Sequence, residues 1–103
     1  MNPKIVRDKI PNIIADSGKK PVYEVVSIDD AIEGLEAKLH EELAEYMADH
    51  SLEEMADLLE VMHGILFLKG ISWDELEEVR LKKRAERGGF ERCLLLKDIQ
   101  ELA

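Results

Sequence analysis

Two apolar stripes joined by a very short connection constrain this chain more than any other feature. Apolar residues recur every three or four positions from Ser27 to about Asp49, and a second such pattern fills residues 52–68. This spacing is typical of amphipathic α-helices. Only Asp49-His50-Ser51 lies between the two patterns, and a connection this short makes consecutive helices run antiparallel. The sequence therefore predicts a helical hairpin.

Two further helices are predicted on either side of the hairpin. The first starts near Asp8, has Pro11 in its first turn and ends at Gly18, since proline is tolerated at a helix start and glycine favours a helix end. The last begins with a serine cap at Ser72 and stops at Gly88-Gly89. Its composition is highly charged.

Two short runs rich in apolar or β-branched residues predict a minor β element. They lie near residues 22–26 and 90–96, and they are expected to pair with each other. The predicted fold class is mainly α, an antiparallel bundle of about four helices with this small addition. At 103 residues the chain is expected to form one domain, residues 1–103.

Charge and composition narrow the partners and the compartment. The formal net charge is −9, from 23 acidic against 14 basic residues, and such a surface repels nucleic-acid phosphates. No run approaches the about 20 apolar residues of a membrane span, and residues 1–4 lead into no apolar secretory region. Cys93 is the one cysteine, so a reducing cytoplasm is the expected location.

Acidic residues are paired along both helices of the predicted hairpin. Glu41 and Glu42 lie three or four positions before Glu45, and Glu54 lies three before Asp57. Residues at this spacing are neighbours on a helix surface. The hairpin lets both groups face one cleft, where several carboxylates repel one another unless a cation neutralises them. Hard oxygen ligands of this kind suit Mg²⁺ or Mn²⁺.

Simpler explanations exist for the same acids. These acids can serve solubility alone. Glu54 can complete a capping box with Ser51, and the helix dipole stabilises acids in a first turn. One detail favours a site: Leu39 and Leu43 flank Glu42, so this acid borders the apolar stripe. Acids that only solvate a surface lie more often on the opposite face.

Three motifs together give the sequence a family resemblance. Residues 38–45 and 54–57 resemble the EExxE and ExxD motifs of the MazG-like and phosphoribosyl-ATP pyrophosphohydrolase-like families. VRDKIP at residues 6–11 and KKRAERGGF at residues 82–90 are similar to the ends of a small, single-domain branch of that superfamily. The resemblance covers nearly the whole chain. Only eight residues separate Glu45 from Glu54, so the connecting loop is shorter than in typical MazG domains.

The resemblance implies a fold, a reaction and a set of ligands. It implies Mg²⁺, with Mn²⁺ as the alternative, held by Glu42, Glu45, Glu54 and Asp57, with Glu41 close by. The implied reaction hydrolyses a nucleoside triphosphate between the α- and β-phosphates, which releases a monophosphate and pyrophosphate. Glu41 or Glu45 is expected to orient or deprotonate the attacking water. A house-cleaning role against non-canonical nucleotides is also implied.

Cationic side chains are needed beside the phosphates of such a substrate. The predicted phosphate- or substrate-binding residues are Lys38, Lys83, Arg84, Arg7 and Lys9. Each has a structural alternative. Bases at the end of a helix stabilise its dipole, those near the amino terminus can be simply exposed, and Lys38 can pair with acids on its own helix. His63 and Trp73 are interpreted as packing residues.

The third helix is apolar on more faces than a thin monomer covers. A large exposed apolar patch usually marks an interface, so a homodimer or a dimer of dimers is expected, with Leu59, Met62 and Leu66 at the contact. Two alternatives to the triphosphate pyrophosphohydrolase stay open. One is a helical interaction module without catalysis, and the other is hydrolysis of phosphoribosyl-ATP in histidine synthesis.

Overall fold

The computed structural model describes residues 2–102, which form four helices. They are α1 (Ile10–Asp16), α2 (Ile28–Asp49), α3 (Leu52–Leu68) and α4 (Trp73–Arg87). The mainly α fold class is confirmed. The chain divides into two compact units, one up to Trp73 and the other from Asp74 onward, and each is described by itself. The extent of a single domain over residues 1–103 stays a prediction.

The α2–α3 hairpin is the centre of the first unit. Ser27 caps α2 by accepting a hydrogen bond from the Asp30 N–H at 3.1 Å, and Ser51 caps α3 by accepting from the Glu54 N–H at 3.2 Å. His50 ends α2 in the left-handed conformation, with a φ of 57°. That conformation reverses the chain within one turn and sets α3 against α2.

Burial within the hairpin is concentrated on one apolar and one acidic side chain. Among the described residues, only Val61, 5% exposed, and Glu42, 6% exposed, are buried. A carboxylate is seldom placed so deeply without a partner of opposite charge. The position of Glu42 therefore marks the part of the hairpin that packing alone does not explain.

The segment before α1 lies across α2. Ile5 sits directly over Gly34, where any Cβ would collide with its side chain, so the absence of a side chain at Gly34 permits this close approach. α1 then begins at Ile10, two residues beyond the predicted start at Asp8, with Lys9 as its N-cap residue and Pro11 in its first turn. Contacts with the hairpin thus position the start of the chain.

The predicted β element was wrong, because residues 2–102 contain no strand. Within the described residues, residues 22–26 make no backbone–backbone hydrogen bond, and both Val22 and Val25 are almost fully exposed. The segment after α4 turns instead: the Cys93 N–H donates to the Phe90 carbonyl at 3.2 Å, and Cys93 has a φ of 56°. Strand propensity has no effect without a partner strand to complete the ladder.

The helices also bear on membrane insertion. Across the part of the chain that the structure describes, no helix combines the length and the apolar character that crossing a bilayer requires.

Candidate functional site

Two overlapping triads of acids lie on the hairpin. Carboxylate oxygens of Glu41, Glu42 and Glu45 lie within 4.8 Å of one another, and so do those of Glu42, Glu54 and Asp57. Glu42 belongs to both triads, and it joins the acids of α2 to those of α3. Helical spacing aligns each group, and the short connection at His50 brings the two groups together. We call these five residues the acidic cluster.

Two oxygens of the acidic cluster lack a donor. Oε2 of Glu42 and Oε2 of Glu54 are buried, and neither finds a hydrogen-bond partner among the described residues. A buried acceptor without a partner costs free energy, and native structures seldom tolerate it unless a water or an ion completes the site. Unpartnered carboxylate oxygens that converge from two helices match the ligand preference of a hard divalent cation. The residues present therefore fit Mg²⁺ or Mn²⁺.

Burial and electrostatic repulsion raise two pKa values within the acidic cluster. The pKa of Glu54 is raised from 4.5 to about 7, first by burial, then by a hydrogen bond with Glu45 and by the charges of Glu45, Asp57 and Glu42. The pKa of Glu42 is also raised, by burial and then by Glu45 and Asp57, against the opposing charge of Lys38. At neutral pH the cluster thus tends to hold a proton or a cation.

Cationic side chains of the same unit contact three of these acids. Lys38 lies one turn before Glu42, with Nζ 3.7 Å from Oε1. Arg7, in the segment before α1, contacts α3, and its guanidinium lies 2.7 Å from Oδ1 of Asp57. These two residues were predicted to bind substrate, and the structure brings both to the acidic cluster.

One contact of the acidic cluster was missed by the sequence analysis. Lys4 Nζ lies 3.4 Å from Oε1 of Glu41. The two residues are 37 positions apart in the chain, and no local pattern singles out Lys4 from other exposed lysines. The VRDKIP motif was the nearest signal, because it pointed to this end of the chain. Lys9, which was predicted, forms no ion pair within residues 2–102.

The remaining predicted cations, Lys83 and Arg84, belong to the second unit. They line a cleft of about 520 Å³ at the end of α4 together with two arginines and the following loop, that is, with Arg80, Arg87, Gly88, Gly89 and Phe90. Arg84 is held by Glu91, with 2.6 Å between the guanidinium and the carboxylate. This contact lowers the pKa of Glu91. The cleft is basic and carries one exposed aromatic ring, Phe90.

One aromatic contact lies at the carboxyl-terminal end of the first unit. The rings of His63 and Trp73 stack with their centroids 3.8 Å apart and an angle of 18° between their planes. Both side chains are half-buried. The stack ties α3 to the residue that begins α4, so the packing interpretation of this pair is consistent with the geometry.

Comparisons with known proteins add one partial match. No family model matches the chain, and no solved structure matches it. An uncharacterized protein of Mycolicibacterium smegmatis is 47% identical over 45 residues, which is 44% of this chain and 46% of that protein. The match thus covers less than half of either chain, so the site rests on its own geometry.

Proposed function

We propose that this protein is a Mg²⁺-dependent nucleoside triphosphate pyrophosphohydrolase that cleaves between the α- and β-phosphates. The single observation that supports this most is Glu42, a buried carboxylate with an unpartnered oxygen that belongs to both acidic triads. A solvated acidic surface has no need of a buried acid, whereas a cation site has. The family resemblance of residues 38–45 and 54–57 supplies the reaction.

In this proposal Glu42, Glu45, Glu54 and Asp57 hold the cation, and Mn²⁺ is the alternative to Mg²⁺. The bound cation polarises phosphate oxygens and lowers the pKa of an attacking water. Glu45 is the favoured general base because it is exposed and its carboxylate belongs to the triad with Glu41 and Glu42. Glu41 is less suited, because it is paired with Lys4.

The phosphates of the substrate need positive charge from the protein. Arg7 and Lys38 already lie at the acidic cluster, and Lys83, Arg84 and Lys9 are proposed to add to phosphate binding. The net charge of −9 disfavours nucleic acid as the phosphate-bearing partner. A small nucleotide is therefore the proposed substrate, and the cytoplasm is the proposed location.

A second copy of the chain is part of the proposal. Leu59 and Met62 of α3 are 44% and 39% exposed, and Leu66 is half-buried on the same helix. Covering such a face between identical subunits is the usual solution for a thin helical unit. We infer a homodimer or a dimer of dimers. Light scattering at micromolar concentration tests this, and a stable monomer would contradict it.

The same exposed face also favours a second candidate function, a helical interaction module without catalysis. One experiment separates the two. Pyrophosphate release is measured for a panel of canonical and non-canonical nucleoside triphosphates and for phosphoribosyl-ATP, with and without Mg²⁺. The enzyme proposal expects Mg²⁺-dependent release that Glu42→Gln abolishes and that Glu36→Gln, an exposed acid of the same helix, leaves unchanged. Absence of release from every substrate would favour the interaction module.

A further inference from the structure

Residues 4–7 form a strap that crosses both helices of the hairpin beside the acidic cluster. Ile5 fixes the middle of the strap against Gly34 of α2. Its two cationic ends reach different helices: Lys4 contacts Glu41 on α2 and Arg7 contacts Asp57 on α3. The strap thereby delivers two positive charges to the cluster from a segment with no helical structure of its own.

The contact between Arg7 and Asp57 is short but replaceable. The guanidinium lies 2.7 Å from Oδ1 of Asp57, and both side chains remain partly exposed. Exposed ion pairs contribute little to stability, so the exchange of one partner costs little. Asp57 is also a member of the triad with Glu42 and Glu54. Its carboxylate is therefore a possible partner for both the Arg7 guanidinium and a divalent cation.

From this arrangement we propose that Arg7 and the divalent cation compete for Asp57, and that the displaced guanidinium binds a phosphate of the substrate. The proposal rests on the metal site of the proposed function. A dication held by the triad takes charge from Asp57 and repels the guanidinium beside it. Planar guanidinium groups also bind phosphate oxygens well, often through two parallel hydrogen bonds. Arg7 would therefore be available to phosphate after the cation binds.

The proposal predicts that one substitution, Arg7→Gln, changes the affinity for the cation and the affinity for phosphate in opposite directions. Removal of the Arg7 charge removes repulsion, so Arg7→Gln should bind the cation about three- to tenfold more tightly at low salt. The same variant should bind the phosphate ligand about tenfold more weakly, because one charge-assisted contact is lost. A contact that only orients Asp57 as a ligand would give the reverse effect on the cation, since loss of such a support weakens metal binding.

Calorimetric titration of Mn²⁺ into the full chain tests the first effect. The proteins compared are the natural chain, Arg7→Gln, and Lys19→Gln as the control, because Lys19 is an exposed base of the same unit without an ion pair within the described residues. Tighter binding by Arg7→Gln, with Lys19→Gln within about twofold of the natural chain, is the expected result. Unchanged or weaker binding by Arg7→Gln would overturn the proposal.

Inorganic tripolyphosphate, titrated at one saturating Mn²⁺ concentration, tests the second effect. Complexation of Mn²⁺ in solution is then the same for every variant, so differences come from the protein. Arg7→Gln should lose affinity, Lys19→Gln should not, and Arg7→Lys should recover part of it by restoring the charge. Equal affinity for Arg7→Gln and the natural chain would overturn the proposal.

The proposal and the proposed function fail in different ways. If the natural chain binds no Mn²⁺ and releases no pyrophosphate, the metal site is wrong and the role of Arg7 falls with it. If the natural chain binds Mn²⁺ and hydrolyses triphosphates while Arg7→Gln changes neither titration, only the role of Arg7 is wrong. Thermal melting of each variant verifies that all four proteins fold.

Discussion

Charged side chains are arranged in opposite ways on α4 and on the α2–α3 hairpin. On α4, Arg80 contacts Glu77 one turn earlier at 2.8 Å, and this hydrogen bond lowers the pKa of Glu77. In the hairpin, Glu42 and Glu54 face other acids, and their pKa values rise. On α4, this pair neutralises charge within one turn. The hairpin instead gathers several acids around Glu42, which is offset on its own helix by Lys38, despite the cost of burial.

This difference separates a solvated surface from a candidate site. Charges that are paired within one turn are explained by the helix that carries them, as for Arg80 and Glu77. Charges that converge from two helices onto the buried Glu42 are not explained by either helix. A functional interpretation is therefore stronger for the hairpin than for α4, although both regions contain predicted site residues.

The largest expected effect comes from the buried acid at the centre of the comparison. Glu42→Gln keeps the size of the side chain but removes the charge that both triads share. We expect turnover to fall by about a hundredfold or more, the usual loss when a preorganised electrostatic contact is removed. The melting temperature should stay the same or rise, because repulsion is relieved. Initial rates of pyrophosphate release and a thermal melt measure both.

The matched substitution keeps this result specific. Glu36→Gln also removes one negative charge from α2, at an exposed position, and should change neither rate nor stability. If both variants lose activity equally, the loss reflects the overall charge of the helix and not the acidic cluster.

The second effect is stabilisation of the hairpin by a divalent cation. A ligand that binds only the native state, at ten times its dissociation constant, adds about 1.4 kcal/mol to the free energy of unfolding. For a chain of this size that corresponds to a rise of roughly 5–10 °C in melting temperature. Scanning calorimetry with millimolar Mg²⁺ or Mn²⁺ measures it, and no shift, with or without nucleotide, would contradict a cation site at the acidic cluster.

The helices and the acidic pairs could be predicted from sequence because their signals are local. Ser27 and Ser51 mark the starts of α2 and α3 by their own hydrogen bonds, and both helix ranges match the predicted ones. The spacing of the acids within each helix follows from the same periodicity. Antiparallel pairing of the two groups then follows from the short connection alone.

Contacts between distant segments could not be predicted in this way. The packing of Ile5 against Gly34 and the ion pair of Lys4 with Glu41 join residues that are far apart in the chain. Nothing in the local sequence of these residues specifies their partners. The prediction of a β element was wrong for the opposite reason. Residues 22–26 have local strand propensity, but the fold offers them no partner strand.

A smaller effect is the pH dependence that Glu54 brings to stability. Its pKa is about 7 in the folded chain against an ordinary value of 4.5. Between these values the unfolded chain ionises while the folded chain keeps its proton, so the contribution of Glu54 to stability falls as the pH rises from 4.5 to about 7. Below 4.5 both states are protonated, and above about 7 the loss is complete.

The difference between the natural chain and Glu54→Gln isolates this contribution from that of other groups. Melting temperatures are measured from pH 4.5 to 8 without metal, and the natural chain should lose more stability over this range than the variant does. Identical pH profiles would mean that Glu54 does not hold a proton in the folded chain. Addition of Mg²⁺ should reduce the loss at pH 8, because the cation takes over the role of the proton.

The smallest expected effect is a change of opposite sign on α4. Glu77→Gln removes an acid whose pKa is lowered by Arg80. Since that acid is stabilised in its charged form, its loss should lower the melting temperature slightly, whereas Glu54→Gln should raise it at pH 8. Exposed helical ion pairs contribute little, so the decrease should be small and should shrink further in high salt. Thermal melts of both variants at pH 8, in low and high salt, provide the measurement. A rise in stability for Glu77→Gln would show that α4 also carries unrelieved charge, and the contrast between the two regions would then be lost.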